Sequence, residues 1–451
     1  MGHKVGSARK WLYPGLGVKR WLALLLIGIA FLGLGIACLL HDLYISGWIS
    51  WSIWQILTLA FLPGWARSFG IVLIGLSLAA VAIYQFNQAL LGAFVPPGGA
   101  SVVDALYRHR LRQRGAKVVV IGGGNGLNTL LRGLKHYTDN ITAIVTVADD
   151  GGSSGRLRRE LGVPPPGDFR NCIAALADDE ALITQLFQYR FPARAGETGI
   201  GALDGHSFGN LFITAMTGVT GSFERALVES GRVLAIRGQI IPSTLEDVTL
   251  CAELMDDASG NRVVSGESAI PEARRPIERV YLQPDSVPAY PPAVRAILEA
   301  DLVVAGPGSL FTSVLPNLLV EDIVHAIRAS TALKVYICNV ATQAGETEGF
   351  EVEDHITALE RHTEPGLFPY VLVNNNLADN PPPGWNFQQV ALRKPLGMGY
   401  RVIAADVVDE QCPWRHHPEK LARVLMNWYE KQSREPSRSE QFHEDLFGGS
   451  R

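Results

Sequence analysis

The chain has 451 residues and a net charge of only −4, so it is longer than one ordinary domain and carries little overall charge. Of its 40 Lys and Arg, six fall in residues 1–100, whereas of its 44 Asp and Glu only Asp42 does. The remainder is therefore acidic, which argues against a nucleic-acid binder held by phosphate contacts. The five cysteines (Cys38, Cys172, Cys251, Cys338 and Cys412) are scattered, with no CxxC pair. They indicate neither a disulfide framework nor a zinc site, and they suit a reducing cytoplasm.

A hydrophobic content of 47% and a mean hydropathy of +0.13 point to membrane spans beside a soluble part. Trp21–Leu40 is an uncharged, apolar stretch long enough to cross a hydrocarbon core of about 30 Å as a helix. A second span is expected at about 69–91. The connection between them carries Trp48, Trp51, Trp54 and Trp65, which suits an interfacial segment. Lys4, Arg9, Lys10, Lys19 and Arg20 precede the first span, and Arg108, Arg110, Arg112, Arg114 and Lys117 follow the second. Both flanks, and hence both termini, are expected in the cytoplasm, with the chain a multi-pass protein of the cell membrane. The expected organisation is a membrane hairpin over 1–95, a linker over 96–116, a soluble domain over 117–432 and a polar tail over 433–451.

The soluble part opens with KVVVIG (Lys117–Gly122), an apolar run that suits a strand buried on both faces of a parallel sheet. Gly122, Gly123, Gly124 and Gly126 surround Asn125, and Leu127, Leu130, Leu131 and Leu134 then recur at helical spacing. Ile141–Val147 reads as the next strand. Glycines at the first turn of such a βαβ unit bring backbone N–H groups to a helix N-terminus, a site for phosphate. The bland alternative is a tight turn that binds nothing, but four glycines in five positions exceed what a turn needs. No Gly-Lys-Ser/Thr follows, so this is not a Walker loop, and Leu127 weakens a match to the dinucleotide fingerprint.

The next stretch, Ala148 to Arg156, reads as a polar loop. There Asp149 and Asp150 are placed to hold a metal or sugar hydroxyls, with Ser153 and Ser154 beside them and Arg156 to meet phosphate. Asp168 is placed to cap a helix starting at Phe169, with Arg170 and Asn171 in its first turn. His206, Ser207 and Asn210 open a further apolar helix, with His206 and Asn210 four residues apart on one helical face. Asp256–Glu267 reads as a β-hairpin. A buried strand, Leu302–Ala305, runs into Gly306, Pro307, Gly308 and Ser309 and then an apolar helix. Two such loops at strand carboxyl ends can face one crevice at a topological switch point. Lys334–Asn339 and Tyr370–Asn374 read as further strands, and His417–Tyr429 as a closing helix.

The stretches GGGNGL, TAIVTVADDGGSSGRLR, PPGDFRN, GHSFGN, SGES, GPGSLFTSVLPNLLV and KVYICN resemble the YvcK-type gluconeogenesis factors, a branch of the CofD-like superfamily. The resemblance covers roughly residues 117–430. It implies a CofD-like, doubly wound α/β fold of Rossmann type, preceded here by an all-α transmembrane hairpin that most members lack. It also implies binding of UDP-sugars, UDP-N-acetylglucosamine above all, and a role in carbon flux and cell-envelope synthesis or cell shape. No cofactor is required on this reading; Mg²⁺ is the cation that Asp149 and Asp150 would take. A homo-oligomer and a protein partner that reads the ligand state are compatible with it. Asn125 and Phe311 depart from the threonine and tyrosine usual in the family, and a tyrosine there would offer a hydroxyl to the ligand. A CofD-like transferase is the main alternative, and a dinucleotide-dependent oxidoreductase a remote one.

Overall fold

A computed structural model describes residues 18–48, 50–57 and 112–434, with breaks at 179, 193–200, 202, 256–261, 378–386 and 398, together with scattered positions between 63 and 81. The chain divides into two compact units, residues 1–111 and 112–451.

In the first unit, helix α1 (Val18–Ile45) contains one segment, Ile27–Ile45, that is long and apolar enough to cross a membrane. Phe31, Leu32 and Leu39 leave most of their surface uncovered. A short helix α2 (Trp51–Leu57) follows, with Trp54 stacked on Tyr44 at 4.7 Å between ring centroids. Trp48 and Trp65 are exposed, as an interfacial segment requires. Most of the second expected span, the linker and the tail beyond Arg434 lie outside the described residues.

The second unit is built on a seven-stranded, wholly parallel sheet. In chain order its elements begin with β1 (Val118–Gly122), α3 (Gly124–Leu134), β2 (Ile141–Val145), α4 (Gly152–Leu161), α5 (Gly167–Leu176), α6 (Glu180–Gln188), α7 (Phe208–Thr220), α8 (Phe223–Val233) and β3 (Gln239–Pro242). An antiparallel excursion follows, β4 (Thr249–Leu254), β5 (Arg262–Ser265) and β6 (Ile277–Gln283), paired in the order β5-β4-β6. The chain then resumes with α9 (Pro291–Leu298), β7 (Leu302–Ala305), α10 (Glu321–Ala329), β8 (Leu333–Ile337), α11 (Val352–His362), β9 (Tyr370–Asn374), β10 (Arg401–Ala405) and α12 (Pro418–Arg434).

The sheet order is β10-β9-β8-β7-β1-β2-β3. The chain winds outward from β1 to β3, returns to the other side of β1 as β7, and winds outward again. The direction reverses between β1 and β7, where Ile121 lies opposite Ala305 and, on the far side of β1, Gly122 lies opposite Val145. The doubly wound fold expected from the buried apolar runs is therefore present, and its switch point separates the two glycine-rich loops. Helix α3 buries Leu127, Leu130, Leu131 and Leu134 against the sheet, each contributing about 1.5–3 kcal/mol of transfer free energy. Helix α12 closes over α3 at Gly133, where a Cβ would stand 2.2 Å from the Pro418 carbonyl oxygen.

Three local expectations change. The loop expected from Ala148 to Arg156 ends at Gly151, and the following Gly-Ser-Ser-Gly is the first turn of α4. Small polar residues favour caps and turns equally, so composition alone does not separate the two. The helix expected after Ser309 begins as a π-helical turn, Leu310–Val314. The hairpin expected over 256–267 starts earlier: β4 pairs with β5, Cys251 opposite Ser265, and residues 256–261 of the turn lie outside the described residues.

Candidate functional site

A cleft of about 770 Å³ opens at the switch point. One wall is the start of α3 (Gly124, Asn125, Gly126, Asn128) and the facing wall is Pro307, Gly308 and Ser309 after β7. The loops touch: a Cβ on Gly126 would lie 2.5 Å from the Pro307 carbonyl oxygen, so glycine is what lets the two backbones meet. The Asn339 side chain donates to the Gly308 carbonyl at 2.8 Å and accepts from its N–H at 3.2 Å, fixing the second loop from β8.

The floor is acidic. Asp149 and Asp168 line it, with Glu267 delivered by the loop after β5. Asp168 does not cap its own helix. Its Oδ2 accepts the N–H of Gly124 at 2.8 Å, so it caps the glycine-rich helix α3 instead. The close approach needs Gly123, where a Cβ would stand 2.5 Å from that oxygen. Burial, reinforced by Asp149, pushes Asp168 up to about 6. Burial also raises Asp149 against the opposing pull of the Gly151 N–H. Glu267 is pushed up to about 8, by burial first and then by the Asp149 and Asp168 carboxylates. Behind the wall, Glu346 accepts from Thr312 Oγ1 at 3.0 Å, and burial raises it to about 7.

The remaining expected residues divide. Ser153, Ser154, Arg170 and Asn210 line a recess of about 250 Å³ together with Asp149, Asp168 and Asn171. Asp150 turns away and accepts from the Ser268 N–H at 3.0 Å and its hydroxyl at 2.8 Å. Asp149 and Asp150 thus do not act as one metal-binding pair. Among the described residues no group of three or more His, Cys, Asp or Glu is arranged to hold a metal ion. Arg156 donates to the Asp204 carbonyl at 2.6 Å. His206 precedes helix α7 rather than sharing its face, since Ser207 is the N-cap. It still meets Asn210, because Ser153 Oγ lies 2.9 Å from His206 Nδ1 and 3.1 Å from Asn210 Nδ2. Burial, then Arg156, lowers the His206 pKa, which keeps the ring neutral and structural at pH 7. Gly122 is the last residue of β1, and Gly306 forms the turn after β7 with φ +78°. Phe311 is 1% exposed and packs edge-on against Phe350 and His362, so its ring belongs to the core and not to the cleft.

Several lining residues carried no sequence signal. Trp414 and Phe387, with ring centroids 5.4 Å apart, come from segments near the chain's end, as do Arg415 and His416. Asn128 Oδ1 and His416 Nε2 are buried, line the cleft and have no hydrogen-bond partner. Orphaned buried polar atoms on a cavity wall are costly unless a ligand satisfies them. Burial drives His416 down to about 4, so its ring is neutral.

Residues 118–406 match the model of the family described as 2-phospho-L-lactate transferase CofD. A relative from Nostoc sp. is 46% identical over 445 residues, spanning 95% of this chain and 94% of its own length, so the match extends N-terminal to the family domain. The gluconeogenesis factor of Bacillus subtilis is 46% identical over 320 residues, covering 69% of this chain and 97% of its own. A crystal structure of a UPF0052 family protein from Bacillus halodurans superimposes with a TM-score of 0.62 at 43% identity, covering 69% of this chain and 99% of that one. The chain belongs to the CofD family, within its group of gluconeogenesis factors.

Proposed function

We propose that this gluconeogenesis-factor domain binds a UDP-sugar, with UDP-N-acetylglucosamine the leading candidate, and regulates carbon flux, envelope synthesis or cell shape in response. The observation that carries this reading is the cleft at the switch point, whose walls present unsatisfied polar atoms on Asn128 and His416 beside an aromatic pair. A planar base fits Trp414 and Phe387, and sugar hydroxyls fit the carboxyl floor. Residues 1–95 would hold the domain at the cell membrane, with both termini in the cytoplasm, where a protein partner reads the ligand state. The test is calorimetry on the full-length protein in detergent with UDP-N-acetylglucosamine, with and without Mg²⁺, followed by product analysis. Binding with intact ligand supports a sensor, and absence of binding overturns the reading. For the anchor, a chain lacking residues 1–100 that fully rescues a deletion strain would show the segment to be dispensable.

One observation keeps a transferase as the second reading: three carboxyls with raised pKa values, Asp149, Asp168 and Glu267, line the same cleft. Such groups suit proton transfer near neutral pH. The protein's own donor set does not build a Mg²⁺ site, so no step is assigned to a metal. Turnover of a nucleotide-activated donor, lost in Asp149→Asn, would establish this reading.

A further inference from the structure

The glycine-rich loop is the obvious place for a phosphate, yet its helix N-terminus already has an anion: Asp168 accepts the Gly124 N–H. A phosphate there would face a carboxylate. The cationic end of the cleft lies elsewhere. A recess of about 350 Å³ is lined by Asn125, Arg170, Asn171, Gln188 and Arg190, and it shares Asn125, Asn171 and Gln188 with the main cleft.

Both guanidiniums are positioned by neutral groups. Arg170 Nη1 donates to Ser207 Oγ at 2.7 Å and Nη2 to Asn171 Oδ1 at 2.9 Å. Arg190 Nη1 donates to the Gly205 carbonyl at 3.0 Å. The backbone at Arg190 is clamped, since Phe208 N–H donates to the Tyr189 carbonyl at 2.9 Å and Phe191 N–H to the His206 carbonyl at 3.0 Å. Neither arginine forms an ion pair with a described carboxylate, and Arg170 Nε is buried without a hydrogen-bond partner. Two guanidiniums held side by side without a bridging anion repel each other; Arg190 accordingly makes Arg170 easier to deprotonate. A diphosphate between them would relieve that repulsion and match the fork geometry of both.

We infer that the diphosphate of a nucleoside diphosphate sugar is held by Arg170 and Arg190, and not by the glycine-rich loop. This rests on the nucleotide-sugar reading above. The anion would enter the recess between α5 and the segment after α6, leaving the carboxyl floor to the uncharged part of the ligand.

The test is calorimetry on the full-length protein with pyrophosphate, uridine, UDP and UDP-N-acetylglucosamine. The wild type is compared with Arg190→Gln and with Arg225→Gln, which removes an exposed charge on α8 outside the cleft lining. Loss of a charge-assisted contact predicts that Arg190→Gln weakens pyrophosphate, UDP and the UDP-sugar by about ten- to a hundred-fold. Uridine binding and the Arg225→Gln protein should match the wild type. Full-strength UDP-sugar binding in Arg190→Gln overturns the subsite while leaving the function standing. Arg190-dependent pyrophosphate binding without preference for uridine nucleotides supports the subsite and overturns the UDP-sugar reading. A wild type that binds no pyrophosphate and no UDP overturns both.

Discussion

Glu267→Gln should stabilise this protein, and the gain should depend on pH. Glu267 has an ordinary value of 4.5 and is pushed up to about 8 in the folded state, where burial acts with Asp149 and Asp168. Below about pH 4.5 the carboxyl is protonated in both folded and unfolded chains, so it imposes no penalty. Between 4.5 and 8 the unfolded chain releases the proton while the folded protein retains it, and stability falls by about 1.4 kcal/mol for each pH unit. The penalty is therefore roughly 3 kcal/mol at pH 7 and under about 1 kcal/mol at pH 5. Glutamine keeps the shape and removes the titration. The assay is urea unfolding of full-length wild type and variant at pH 5 and pH 7. The variant should be more stable at pH 7, with the difference largely gone at pH 5. Equal stabilities at pH 7, or pH dependences that run parallel, would refute the claim that Glu267 is held uncharged among carboxylates. A residue that costs this much stability is retained for something other than folding.

Gly123→Val should cut UDP-N-acetylglucosamine affinity at least ten-fold by driving Asp168 off Gly124, with the fold retained by circular dichroism; unchanged affinity would remove the loop from the site. Gly126→Ala should destabilise by about 1–3 kcal/mol in urea unfolding, because its Cβ collides with the Pro307 carbonyl. Asp150→Ala should cost about 1–3 kcal/mol through loss of both Ser268 contacts while leaving ligand affinity in calorimetry unchanged. Phe311→Tyr should leave ligand affinity unchanged, because the ring lies between Phe350 and His362.

The parts of the site legible in the sequence were those encoded locally. A buried apolar run followed by glycines announces both β1 with its loop and β7 with its loop, because strand burial and close backbone approach leave a compositional trace within ten residues. Their convergence could be anticipated from the doubly wound pattern. Glu267, Arg190, Trp414 and His416 left no such trace. Each is an ordinary residue in its own segment and reaches the cleft only through sheet order and an antiparallel excursion. The Asp149–Asp150 pair misled for a related reason. Adjacent residues on an extended segment point in opposite directions, so one faces the cleft and the other faces Ser268. Asp168 was legible as a cap, but sequence proximity pointed to the wrong helix.

The pairing of β1 with β7 joins Val118–Ile121 to Leu302–Ala305 across most of the domain's length. Neither half of the cleft exists without the other, and the aromatic pair and His416 arrive later still along the chain. A growing or truncated polypeptide that stops before residue 416 therefore has no complete site. Ligand capture is in effect a proofreading signal: only a finished sheet answers it. Any ligand that binds there draws the folding equilibrium of the whole domain with it, in proportion to the logarithm of its concentration over Kd.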